Sequence, residues 1–178
     1  MINLDTKISV NAAQKQEVLA EIVKTQDRLI QAISAFKNEQ VNLVPFEGSW
    51  TAAQVADHLL KSSGLVEILR GNVEETHRSP DEKIATLKAI FLDFTRTMES
   101  PEFIIPTDKP LEKEFLLQSF KTRFSTIINA AETLDLSPTC LDFELPGIGK
   151  FTRLEWLYFF AYHFQRHTHQ LENIFRKL

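Results

Sequence analysis

The chain is short of cysteine and glycine, has no long apolar run and carries no excess of positive charge, and each shortage removes a class of function. Its single cysteine, Cys140, can neither close an intramolecular disulfide nor build a cysteine metal site, so cysteine usage does not point to an oxidising compartment. Five glycines in 178 residues, against a usual share of about 7%, leave little material for tight hairpins or a glycine-rich phosphate cradle. The densest apolar run, Trp156 to Tyr162, is only about a third of a membrane span. Met1 to Lys7 hold no apolar stretch of signal-peptide length, so a cytoplasmic location without membrane anchoring is expected. A net charge of −4 supplies no attraction toward a phosphate backbone or an anionic membrane surface, so neither nucleic acid nor membrane is expected as a partner.

What is present suits a folded body. With 43% hydrophobic and 25% charged residues the composition is that of a globular protein, and the length fits a single domain over residues 1–178. Five stretches show helical periodicity. Val18, Leu19, Ile22, Leu29, Ile30, Ile33 and Phe36 recur at steps of three and four after Asn11, which has Gln14 three residues on, and predict a helix from Ala12 to Phe36. Thr51 with Gln54, and Thr152 with Glu155, have the capping-box form that opens two more helices. The first of these carries Val55, Leu59, Leu65, Val66 and Leu69, and the second runs to the C-terminus. Asn72 to Ser79 reads as a loose polar segment. Ser79-Pro80-Asp81-Glu82 then supplies a cap, a proline and an acidic first turn for a helix over 79–99, with Ile84, Leu87, Phe91, Phe94 and Met98 on its apolar face. Pro101, Pro106 and Pro110 break it, and a further helix runs over 111–134. Helices of about 20–26 residues span about 30–39 Å and pack side by side, so an all-α bundle is the expected fold.

On a wheel of the last helix, His163, His167 and Gln170 fall within or beside the apolar arc of Leu157, Phe160, Phe164, Leu171 and Ile174. Tyr158, Gln165, Arg166 and His169 take the opposite side. His58 falls on the apolar arc of the second helix beside Ser62, Leu65 and Leu69, while Asp57 and Lys61 point outward. A buried polar ring is costly without a partner, and two readings stay open. Each histidine can be a core residue bonded to a hydroxyl or carbonyl, or the three can offer ring nitrogens to one divalent ion. If they do, affinity is expected to fall with pH through the free-histidine range near 6.5. The pair is not a zinc-protease signature, because Phe164 stands where that helix needs its glutamate. His77 and His169 read as surface residues, and Cys140 as a packed side chain rather than a nucleophile.

Two motifs carry a resemblance. Trp50-Thr51-Ala52-Ala53-Gln54-Val55-Ala56-Asp57-His58-Leu59 and His163-Phe164-Gln165-Arg166-His167-Thr168-His169-Gln170 resemble the opening and closing motifs of the DinB-like, or YfiT-type, metal-dependent bundle proteins. The resemblance implies a four-helix bundle of up-down-down-up topology, with the 79–99 helix added within the long crossover between the second and third core helices. It implies His58, His163 and His167 as metal ligands for one divalent ion per chain, commonly nickel or zinc, and homodimers in many members. Members with known activity move a low-molecular-weight thiol, such as bacillithiol or mycothiol, or use one in isomerisation. The expected function is therefore a metal-dependent thiol S-transferase with a small-molecule thiol and an electrophile as partners, Gln170 orienting a ligand, bracing the site or serving only as a helix-edge hydrogen bonder. The alternatives are a non-catalytic bundle binding a metal or small ligand, and a bundle whose buried histidines are structural.

Overall fold

The computed structural model describes residues 9–178, so the reading of Met1 to Lys7 lies outside the described residues. Five α-helices make up most of it: α1 (Ala12–Ser34), α2 (Ala52–Ser62), α3 (Ile84–Phe91), α4 (Lys113–Thr133) and α5 (Arg153–Phe175). Three begin with the capping boxes their sequences announce. Asn11, Thr51 and Thr152 each accept from the backbone N–H three residues on, and Gln14, Gln54 and Glu155 return the bond to the cap's own N–H. That reciprocal pair satisfies backbone donors a helix start would otherwise leave bare.

α1 packs on α4 and α5, and α2 on the same two from the other side. The four thus enclose one core in up-down-down-up order, and α3 belongs to the crossover, packed on α5. Val18, Ile22, Leu29, Leu59, Phe120, Phe124, Ile127 and Trp156 fill the interior. Because α1 covers one side of α5 and α3 another, every residue from Leu154 to Phe164 is buried. Tyr158 is therefore an interior residue, its ring tilted against that of Tyr162 at 5.6 Å, rather than the surface residue the wheel places it as. Among the described residues no helix is long and apolar enough to cross a membrane.

Three departures from the expected elements have identifiable causes. α2 tightens into a 3-10 segment over Ser63–Arg70, where Ser62 and Ser63 turn their hydroxyls back onto the carbonyls of Leu59 and Leu60, 3.0 Å each. Such back-bonding competes with the α-helical ladder. The helix expected over 79–99 shrinks to Ile84–Phe91. At its start, Ser79 bonds Asp81 instead of capping. At its end, Arg166 of α5 takes the carbonyls of Phe91 and Asp93, at 3.3 and 2.9 Å, and that of Arg96. Asp93 meanwhile accepts from both the N–H and the hydroxyl of Thr95. With those groups engaged elsewhere the helix cannot continue, and Phe94 and Met98 stand exposed.

The segment read as loose is held throughout. Asn72 bonds Asp142 through its backbone and its side chain, both at 2.8 Å. Val73–Glu74 (β1) pairs antiparallel with Thr139–Cys140 (β2). Arg78 then reaches Glu155, a carboxylate with no exposed surface, with two bonds of 2.7 and 2.6 Å.

Candidate metal centre

Thr51 sets the start of α2, and two turns later the buried ring of His58 points between α2 and α5. Its neighbours fasten the crossover beside it. Asp57 accepts the N–H of Thr107 at 2.7 Å and pairs with Lys61 at 2.9 Å, while Lys61 donates to the carbonyl of Ile105 at 2.7 Å. The chain is thereby held so that the carbonyl of Ile104 lies 3.0 Å from His58 Nδ1. A carbonyl can only accept, so His58 carries its proton on Nδ1 and leaves Nε2 as a bare lone pair.

His163 and His167 stand one turn apart on α5, and their rings meet His58 across the interhelical gap. Nε2 of His163 is 3.2 Å from Nε2 of His58 and 3.1 Å from Nε2 of His167. The outer nitrogen of His167 donates to Gln170 Oε1 at 2.7 Å, which leaves its Nε2 bare as well. The outer nitrogen of His163 faces Ser62 Oγ at 3.3 Å. Three potential ligand atoms thus lie within 4.8 Å of one another. Two imidazole nitrogens sharing one ion at about 2.0–2.1 Å are about 3.3 Å apart at the tetrahedral angle, so the spacing suits a divalent metal. The donor set agrees: nitrogen ligands whose other ring N–H is already placed on an acceptor.

The walls are aromatic. Trp50 lies 5.3 Å from the His58 ring, Phe159 stacks on His163 at 5.5 Å, and Phe91 meets it edge-on at 5.6 Å. Arg166, between the two histidines in sequence, has its guanidinium on the crossover carbonyls described above. His77 is exposed. His169 is not the free surface residue expected, since Phe94 stacks flat on it at 4.2 Å. Neither joins the cluster. Cys140 is buried and its thiol is pushed up to about 11 by that burial, which suits a packed side chain.

Burial lowers the pKa of all three clustered histidines, that of His163 well below its usual value, where the other two imidazoles and Arg166 add to the cost of its charge. His167 falls to about 3. Proton competition at the cluster therefore sets in below the free-histidine range near 6.5 anticipated from sequence. The sign for stability follows by linkage. Unfolded histidines gain protons near 6.5 while the folded ones do not, so the unfolded state binds more protons as pH falls. The metal-free protein is expected to lose thermal stability from about pH 6.5 to pH 5, above the carboxylate range. Melting temperature against pH checks this, and a His167→Gln protein should show a shallower decline.

Sequence alone missed the Ile104 carbonyl, because a backbone acceptor has no residue signature. Ser62 could have been found, since it shares the apolar arc of His58 one turn on.

The family model described as DinB superfamily matches residues 21–171. Among solved structures, YfiT from Bacillus subtilis superposes with a TM-score of 0.61 at 16% identity, covering 94% of this chain and 89% of that one. That protein is described as a probable metal-dependent hydrolase with an unusual four-helix bundle topology. At such low identity the likeness speaks for the fold. No curated protein sequence matches.

Proposed function

This chain belongs to the DinB superfamily, and on that premise we propose that it is a metal-dependent transferase moving a low-molecular-weight thiol onto an electrophile. His58, His163 and His167 hold one divalent ion, nickel or zinc, per chain. The observation that carries the reading is the convergence of three Nε2 atoms, two of them stripped of protons by acceptors on their far sides. When bound, the ion supplies Lewis acidity that lowers the pKa of a thiol and leaves coordination positions open for it.

The chain's own groups favour a thiol over water as the nucleophile. The charged side chains acting on the histidines are Arg166, Asp57 and Lys61. Asp57 directs its Oδ2 to the Thr107 N–H and to Lys61, and it acts on His58 as a charge. A thiol, with an ordinary pKa of about 8.5 against about 15.7 for water, needs far less help. Trp50, Phe91 and Phe159 keep solvent from the rings and strengthen electrostatic interactions there. Gln170 braces His167, and hydrolysis of the kind named for YfiT is the competing reaction class.

The test is to incubate metal-loaded protein with bacillithiol, mycothiol, glutathione or coenzyme A and monochlorobimane, with His163→Ala protein as control. Conjugation above the uncatalysed rate with at least one thiol, lost in the control, is the expected result. Conjugation at the uncatalysed rate across the panel, with metal bound, would favour a non-catalytic binding bundle.

A further inference from the structure

The contact between Ser62 and His163 has two incompatible hydrogen-bonding solutions, and the surroundings decide when each holds. Ser62 Oγ lies 3.0 Å from the carbonyl of Leu59 and 3.3 Å from His163 Nδ1. A hydroxyl has one proton, so it can donate to Leu59 and accept from His163, or donate to His163 Nδ1. His58 has no such choice, because the Ile104 carbonyl can only accept, and Gln170 presents its Oε1 to His167, so both carry their protons on Nδ1.

Consider the cluster without a metal. If His163 also carried its proton on Nδ1, three bare lone pairs would face one another at 3.1–3.2 Å inside a buried site, an uncompensated arrangement of the costly kind. If His163 instead carries its proton on Nε2, that N–H is shared between the Nε2 atoms of His58 and His167, and Nδ1 becomes an acceptor. Ser62 is the hydroxyl in place to donate to it. Metal ligation by Nε2 demands the opposite: the proton on Nδ1, donated to Ser62 Oγ, with the Ser62 proton on Leu59.

We propose that Ser62 is the positioning residue of the centre, its hydroxyl turning from His163 to the Leu59 carbonyl as His163 exchanges one neutral tautomer for the other on metal binding. The proton leaving Nε2 is matched by one gained at Nδ1, exchanged through solvent, and Ser62 keeps its single proton. The proposal rests on the three histidines holding a metal, and the experiment separates the two.

Protein labelled with 15N-histidine is examined by long-range 1H–15N correlation, with and without zinc, which is diamagnetic. The expected spectra show His163 protonated on Nε2 without zinc and on Nδ1 with it, while His58 and His167 are Nδ1-protonated in both. Ser62→Ala should weaken zinc binding about 10–100-fold, as loss of a partner behind a ligand does, and Ser62→Thr should restore most of it. If Ser62 only packs against the ring, Ser62→Ala leaves the metal-free His163 tautomer as in the parent, whereas loss of its donor shifts part of that population to Nδ1. His163 found protonated on Nδ1 in the metal-free protein, or Ser62→Ala binding zinc as tightly as the parent, overturns the proposal while leaving the metal centre standing. A parent that binds no zinc overturns both.

Discussion

Replacing His163 by Ala is expected to weaken divalent-metal binding by more than about 100-fold, beyond what loss of a supporting partner behind a ligand costs. His163 is the middle member of the cluster, within 3.2 Å of both other Nε2 atoms, so its removal leaves two imidazoles with no third ligand between them. Isothermal titration and metal analysis of protein purified without chelator give the measurement, with about one ion per chain expected for the parent. Because His163 is buried, circular dichroism must show that the variant still folds, and His167→Gln supplies a second variant at a less enclosed position. His77→Ala and His169→Ala should bind as the parent does, since neither side chain reaches the cluster. Undiminished binding by a triple His58, His163 and His167 substitution would refute the centre.

The second large effect is structural. Arg78→Ala should cost about 3–5 kcal/mol of stability, the usual result of taking one partner from a buried ion pair. Glu155 has no exposed surface and holds both guanidinium bonds as well as the N–H groups of Lys83 and Thr152, at 2.8 and 2.9 Å. Without Arg78 its charge is left to two backbone donors. The same contact raises the Arg78 pKa, chiefly through its bonds to Glu155. Chemical denaturation should show the loss, and adding Glu155→Gln to Arg78→Ala should recover part of it, because a neutral amide no longer needs the cation. A neutral outcome for Arg78→Ala would mean the carboxylate is satisfied by the backbone alone.

How much of this was legible in the chain depended on distance along it. The capping boxes at Asn11, Thr51 and Thr152 are local, three residues from donor to acceptor, and their helices start where the sequence places them. The end of α3 was not legible, because the group that stops it, Arg166, lies more than seventy residues away in sequence. The tie from Arg78 was not legible for the same reason: it lies in the segment read as loose, and its carboxylate partner Glu155 sits on α5, 77 residues on. The wheel put His58, His163 and His167 on apolar arcs and the structure brings them together. What holds their outer nitrogens was half readable. Gln170 shares the arc of His167, whereas the Ile104 carbonyl belongs to a stretch whose letters carry no sign of it.

That stretch reaches the centre through its backbone. Ile104 meets His58 with a carbonyl oxygen, Asp93 and Arg96 meet Arg166 with theirs, and Ile105 meets Lys61 in the same way. A carbonyl oxygen is common to every residue type, so these contacts with the centre do not themselves fix the letters at these positions in the way the ring nitrogens fix the histidines. What selection must preserve instead is path length: an inserted or deleted residue between Arg96 and Ile104 would move the acceptor behind His58 even with every functional side chain intact. Among relatives, this connection should diverge in composition long before it diverges in span.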